Sequence, residues 1–223
     1  MAPPTIIDLY FDVISPYAWF GFEGLLRYEE KLKEQNVKIQ LKPYFLGGVM
    51  KASGNRPPIL LPAKAQYMPN DLRMLSKYWG FNLSLNPNFA TEIIPNGTIL
   101  PQRFLTVLEQ NAPKYLVPAA REFWKRIWET HQPIHEEEHL KEVAKSIGLE
   151  NVEKYIEMTK SKQIKDVLIQ RTTEAVETGA FGAPWFVIRK DGEENKCFWG
   201  SDRLPVVLNE CGVEFIGPLK SKM

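Results

Sequence analysis

Strand-like sequence is confined to the two ends of this chain, and that separation limits the fold more than any other feature. Residues 6–13, Ile-Ile-Asp-Leu-Tyr-Phe-Asp-Val, have the apolar, β-branched and aromatic content of a buried strand. Ser15 and Pro16 end it, and apolar residues at Phe20, Leu25, Leu26, Tyr28 and Leu32 then recur at helical spacing across residues 17–33. Residues 37–42 alternate with period two until Pro43. Strand, helix and strand in so short a span predict one βαβ unit with a right-handed crossover.

Gly47, Gly48, Gly54, Pro57, Pro58 and Pro62 punctuate the next stretch, which reads as a loop and a domain boundary. Helical patterns follow at residues 70–78, 101–110, 118–130, 136–147, 152–158 and 162–177. Strand signal returns only at residues 185–189 and 197–199, around the turn sequence Lys190-Asp191-Gly192, and residues 204–210 form a last helix. The order βα, β, helices, β-hairpin, α predicts an α/β protein, a thioredoxin-like fold interrupted by an inserted all-helical domain. The expected division is 1–62 and 179–223 for the two parts of the thioredoxin-like domain and 63–178 for the insertion.

With 223 residues, the chain can bury roughly 70% of its unfolded surface and needs neither disulfides nor metals to hold a core. Lys and Arg total 28 against 27 Asp and Glu, which offers no broad electrostatic footprint for nucleic acid or an anionic membrane. No apolar run reaches membrane-spanning length. MAPPTIIDLYF has the character of neither a secretory signal nor a matrix-targeting peptide. Cys197 and Cys211 form no C-x-x-C pair, which suits a reducing compartment. His131, His135 and His139 have i, i+4 spacing, but Pro133 interrupts the face and no cysteine joins it; they read as surface histidines, with no metal expected.

Three stretches can carry chemistry. Ser15 stands where a βαβ helix begins, so it either caps that helix or also meets a ligand at the free N–H groups and positive dipole end. With no cysteine near it, this end cannot exchange disulfides. A hydroxyl there can instead donate to the sulfur of a ligand and favour its thiolate. Ala183-Pro184, in GAFGAPW, is either a plain loop or a cis X-Pro bond whose backbone edge pairs with a peptide-like ligand across from Ser15. In Gly200-Ser201-Asp202-Arg203, Ser201 or Asp202 either caps the last helix or receives the charged end of an amino acid. Asn55 adds an amide from the long loop. Trp19, Phe20, Tyr67 and Trp79 read mostly as core, with a co-substrate pocket as the other reading.

The blocks DVISPYAWFG, MKASGNRPP, LLPAK, TTEAVETGAFGAPWF and FWGSDR, with a less distinct match at ATEIIPNG, resemble the kappa-class glutathione transferases at corresponding places over nearly the full length. That family is related to the DsbA-type oxidoreductases and to the 2-hydroxychromene-2-carboxylate isomerases. The resemblance implies that Ser15 hydrogen-bonds the glutathione thiolate and that Asn55 holds the tripeptide. It also implies that Ala183, before Pro184, pairs with the cysteinyl backbone. Ser201 and Asp202 then receive the γ-glutamyl end, assisted by Arg203. The family commonly has a larger apolar residue where this chain has Ala183.

Also implied are transfer of glutathione to electrophiles, glutathione-dependent peroxidase activity, and a homodimer in mitochondria or peroxisomes. Ser221-Lys222-Met223 is similar to a Ser-Lys-Leu address and favours the peroxisome, through an import receptor. The alternatives are an isomerase of the chromene-carboxylate type, or a glutathione-binding or structural protein without turnover.

Overall fold

The computed structural model describes residues 3–219; Ser221, Lys222 and Met223, the expected address, lie outside the described residues. Four strands, β1 (Thr5–Phe11), β2 (Val37–Pro43), β3 (Trp185–Arg189) and β4 (Lys196–Trp199), form one sheet in the order β2-β1-β3-β4. β1 runs parallel to β2, with Leu9 opposite Leu41, and antiparallel to β3, with Leu9 opposite Phe186. The two central strands are nearly continuous apolar runs and are buried along most of their length, whereas β4 at the edge is not. An uninterrupted apolar strand requires cover on both faces of the sheet.

Eleven helices are described: α1 (Pro16–Arg27), α2 (Glu29–Glu34), α3 (Leu46–Ser53), α4 (Pro62–Trp79), α5 (Ile94–Asn96), α6 (Ile99–Asn111), α7 (Leu116–Trp128), α8 (Glu137–Ser146), α9 (Val152–Thr159), α10 (Lys162–Glu177) and α11 (Leu204–Glu210). α4 to α10 separate the two pairs of strands, so the chain is a thioredoxin-like α/β core with helices inserted in it. Aromatic residues join the parts. Trp124 of α7 lies 5.5 Å from the Phe11 ring of β1 and 5.0 Å, edge to face, from Phe22 of α1, and it stacks on Trp19 at 6.1 Å.

Three elements depart from the sequence expectation. The single helix over 17–33 is two, broken at Tyr28. The buried Tyr28 hydroxyl donates to the Gly217 carbonyl at 2.6 Å and accepts from the Ile216 N–H at 2.9 Å, so the chain turns where its side chain is held by the C-terminal segment. Gly47 and Gly48 lie inside α3 rather than in a loop. A Cβ on Gly47 would stand 2.7 Å from the Phe45 ring, and one on Gly48 would stand 3.1 Å from the Thr172 methyl of α10, so these glycines allow close packing of a helix. α4 begins at Pro62, well before residue 70, and runs through Pro69. Pro62 is suited to a first turn; Pro69 removes one N–H from the ladder without ending it.

Candidate active site

Asp12, Ile14 and Ser15 form the turn from β1 into α1. The Ser15 N–H donates to the Asp12 carbonyl at 3.0 Å, and its backbone is extended, as an N-cap requires. Its hydroxyl accepts from the Ala18 N–H at 3.1 Å, and its carbonyl accepts from the Trp19 N–H at 3.3 Å and from the Trp124 indole at 3.0 Å. Pro16 has no N–H to offer. Tyr17 therefore supplies the first-turn N–H with no described partner, at the positive end of a twelve-residue helix with no acidic residue in its first turn.

The Ala183–Pro184 peptide is cis. Across 168 positions of sequence, the Ser15 hydroxyl also donates to the Ala183 carbonyl at 3.5 Å. The cap reading of Ser15 holds, and the hydroxyl does more than cap: its oxygen accepts from its own helix while its proton is donated to the proline loop. α1 lies close enough to that loop that a Cβ on Gly21 would stand 2.7 Å from the Pro184 ring.

The other expected residues sit around this pair in different ways. Asn55 follows the left-handed Gly54 that ends α3. Its amide nitrogen donates to the Phe181 carbonyl at 2.6 Å, and its amide oxygen accepts from the Arg56 N–H at 2.8 Å. It braces the loop leading to Ala183. The Gly200 N–H donates to the Pro184 carbonyl at 3.0 Å, which brings Ser201, Asp202 and Arg203 to the same end of the sheet. Ser201 is buried, but neither Ser201 nor Asp202 caps the last helix. A 3-10 turn at Ser201–Arg203 leads into α11, whose N-cap position is Arg203, with no side-chain cap bond. Asp202 and Arg203 are exposed and pair with one another at 2.7 Å.

Trp19, Phe20 and Trp79 are buried core residues, and of the four aromatics only Tyr67 is exposed. Tyr67 and Tyr17 converge on Asp71 of α4: the Tyr17 hydroxyl donates to one Asp71 oxygen at 2.7 Å and that of Tyr67 to the other at 3.4 Å. Burial, with the Asp71 carboxylate beside it, pushes the Tyr17 phenol well above the ordinary range and keeps it neutral. No sequence argument singled out Asp71; its signal, an acid at helical spacing from Tyr67, is too common to select.

Two of the three histidines make local structural bonds. His131 bonds the Ser84 hydroxyl at 3.1 Å, and His139 accepts the Glu136 N–H as part of the cap of α8. Among the described residues no cluster of His, Cys, Asp or Glu is placed to hold a metal. Cys197 and Cys211 are free thiols, and burial pushes Cys211 up to about 11, so it is no nucleophile. No helix among the described residues is long and apolar enough to cross a membrane.

The family model of the DSBA-like thioredoxin domain matches residues 6–211. A kappa 1 glutathione S-transferase of Caenorhabditis elegans is 37% identical over 201 residues, 90% of this chain and 88% of that protein. The kappa 1 enzyme of Homo sapiens is 35% identical over 218 residues, covering 97% and 95% of the two chains. The chain belongs to the kappa-class glutathione transferase family. Among solved structures, a 2-hydroxychromene-2-carboxylate isomerase superposes with a TM-score of 0.73 over 93% of this chain and 94% of that one, at 20% identity. That likeness is one of fold. The arrangement around Ser15 is a helix N-terminus and a backbone edge facing each other, with the Ser15 hydroxyl and the Tyr17 N–H at the helix end.

Proposed function

We propose that this protein binds reduced glutathione in the groove between Ser15 and the cis-proline loop and conjugates it to electrophiles. The observation that carries the reading is the 3.5 Å approach of the Ser15 hydroxyl to the Ala183 carbonyl at the start of α1. In this reading the cysteinyl backbone pairs with Ala183 ahead of Pro184, and the sulfur lies at Ser15, whose proton turns from Ala183 to the ligand. The side chain at 183 does not bear on this pairing, which uses backbone groups alone. Ser201 and Asp202 receive the γ-glutamyl end. Asp202 exchanges its pair with Arg203 for the ligand ammonium, and Arg203 is freed for a carboxylate. Asn55 steadies the tripeptide from the other side.

Ser15 acts by hydrogen bonding and electrostatics. The ligand thiol gives its proton to solvent, and the thiolate is held by the Ser15 hydroxyl and the helix terminus. Its sulfur lone pair then forms the S–C bond to an electrophilic carbon, while the electrons of the bond that breaks leave with the displaced group or move to the acceptor. With a hydroperoxide, the sulfur attacks the terminal oxygen and the O–O bond breaks. The alcohol leaves after taking a proton, and a second glutathione converts the resulting sulfenic acid to the disulfide and water. No acyl-enzyme is involved, since among the described residues no histidine bonds Ser15 to act as its base.

A homodimer and a peroxisomal location, with the mitochondrion as the other organelle, belong to the same proposal. Sedimentation of the purified protein tests the first. Loss of peroxisomal signal from a reporter ending in Ser221-Lys222-Met223 when Met223 is removed tests the second. The central experiment is difference ultraviolet absorbance of bound glutathione across pH, in wild type and Ser15→Ala. The expected result is a thiolate formed below the titration of free glutathione and weakened in the variant. Binding with an unshifted titration in both would favour a glutathione-binding protein without turnover, and absence of binding would overturn the site. Turnover of a chromene-carboxylate in place of electrophile conjugation would identify the isomerase instead.

A further inference from the structure

Asp12 is the one fully buried carboxylate in the turn that delivers Ser15, and its contacts reach beyond that turn. One carboxylate oxygen accepts from the Ile14 N–H at 3.1 Å, within the Ser15 turn. The other accepts from the Leu46 N–H at the start of α3 at 2.9 Å and from the Thr98 hydroxyl ahead of α6 at 2.9 Å. α3 ends at Gly54 and hands the chain to Asn55. The carboxylate therefore fastens the segment that carries Ser15 to the one that carries Asn55, and both to the helical insertion.

A second side chain extends the same network to the proline loop. Tyr44, two residues before Leu46, is fully buried and donates its hydroxyl to the Gly182 carbonyl at 2.9 Å, next to Ala183. The Tyr44 N–H donates to the Phe11 carbonyl at 3.1 Å, and the Gln102 amide donates to the Phe11 and Tyr44 carbonyls at 2.7 Å each. Beside the direct Ser15–Ala183 bond, a second route of buried polar contacts thus runs from the Ser15 turn to Gly182 along residues 11–15 and 44–46. Buried networks of this kind hold geometry tightly because each unmade bond costs more than it would at the surface.

We propose that Asp12 is the positioning residue of this site: its carboxylate sets the Ser15 turn against the Asn55 segment and, with Tyr44, against the cis-proline edge. The proposal rests on reading this groove as the glutathione site. Asp12 touches no ligand in it and acts through Ser15 and Ala183. Burial pushes the Asp12 carboxyl up to about 6 although two N–H groups and a hydroxyl favour its charge; Tyr44 is the titratable group that faces it, and burial with the Asp12 charge nearby keeps that phenol neutral. Near neutral pH the carboxylate is ionised and accepts from all three donors. An asparagine of the same shape would turn an amide N–H toward at least one of them.

The test uses Asp12→Asn, with Thr98→Val as a milder cut that removes one donor and leaves the carboxylate. Glutathione affinity is measured by calorimetry and the bound thiol by absorbance, and backbone amide spectra are followed from pH 4.5 to 8. Misplacement of a reacting group by about 1 Å can cost on the order of 100-fold. The expected result is about tenfold weaker glutathione binding in Asp12→Asn with the thiol titration moved back toward that of free glutathione, and a two- to threefold change in the same direction in Thr98→Val. Wild-type affinity and thiol titration in folded Asp12→Asn overturn the proposal. If that variant does not fold, the same result in Thr98→Val does so.

Failure of the wild type to bind glutathione overturns the glutathione reading instead, and the amide spectra then decide. Gly182 and Asn55 do not touch the carboxyl. Signals from both that titrate with a midpoint near 6 in the wild type, and not in Asp12→Asn or with a shifted midpoint in Thr98→Val, support positioning through the network. Signals indifferent to that titration overturn it.

Discussion

Ser15 and Ser201 are both buried serines at the start of a helical turn, at the same end of the sheet, and their surroundings are opposite. Every backbone and side-chain polar group of Ser15 is engaged: its N–H with Asp12, its carbonyl with Trp19 and Trp124, its hydroxyl with Ala18 and Ala183. Ser201 opens a 3-10 turn without a side-chain cap, followed by Asp202 and Arg203, which are exposed and paired with each other. In the proposed function the Ser15 hydroxyl has only to turn its proton from the Ala183 carbonyl to the ligand, whereas Asp202 and Arg203 must part from each other to receive one. Fixed dipoles are most useful where charge develops during the reaction, because no reorganisation is needed at that moment. Exposed charges serve capture, where strength matters less than reach and sign.

Replacement of Ser15 should break this division most visibly. Ser15→Ala removes a hydrogen bond to a charged sulfur, worth about 1.5–3 kcal/mol, so kcat/KM for conjugation should fall roughly 10- to 100-fold. It also removes the α1 cap, at a stability cost of about 1 kcal/mol seen as a lower Tm. If thermal stability falls that far while kcat/KM is unchanged, Ser15 is a cap and nothing more. Gly21→Ala comes next and probes the other wall. The new methyl would meet the Pro184 ring at 2.7 Å and Phe186 at 3.2 Å, so α1 must move away from the proline loop. Overpacking of this kind costs about 1–3 kcal/mol by denaturant unfolding. The thiol titration should weaken along with it, since Ser15 moves with α1.

On the far side of the groove, Asp202→Asn should raise KM for glutathione by about fivefold and leave kcat within about twofold, as expected for an exposed charge that captures rather than reacts. Added salt should raise the wild-type KM and narrow the gap to the variant, because exposed charges are screened within about 10 Å at 0.1 M. A kcat loss in Asp202→Asn as large as that in Ser15→Ala would erase the division between the two places.

What could be read from sequence follows the same line. Continuous apolar runs locate β1 and β3, because burial leaves a direct mark on composition, while period-two alternation locates β2 and the Lys190-Asp191-Gly192 turn points to the short, exposed β4. Ser15 and Ala183-Pro184 were legible for another reason: Ser-Pro after a strand and Gly-x-Pro before one have few conformations to adopt. α3 was not legible, since two glycines and a following Pro-rich stretch are loop signals by local chemistry, and only the crowding by Phe45 and Thr172 explains them. Nor was the break at Tyr28, whose cause lies 188 positions away in sequence at Ile216. Asp12 stood in plain view in DVISPYAWFG. Its partners, Leu46 and Thr98, come from segments with no pattern linking them to it, and a buried acid cannot be told from a surface one without them. Asn55 reads in sequence as a ligand amide, and its bond to Phe181 is invisible there for the same reason.

Asn55→Ala is the smallest of these perturbations and places Asn55 on one side of the division. Its amide spans from the α3 loop to the Phe181 carbonyl, two residues before Ala183, in an exposed position where a hydrogen bond contributes about 0.5–1.5 kcal/mol at most. If Asn55 serves mainly as a brace for the proline loop, its loss loosens the edge on which the cysteinyl backbone lies, and kcat should fall two- to threefold with the thiol titration shifted a little toward that of free glutathione. If it serves mainly to capture the tripeptide, KM should rise by the same factor while kcat and the titration hold, as for Asp202→Asn. The 2.6 Å bond to Phe181 favours the brace. Steady-state kinetics with a saturating electrophile and varied glutathione separate the two, and a change in KM alone would move Asn55 to the capturing side with Asp202.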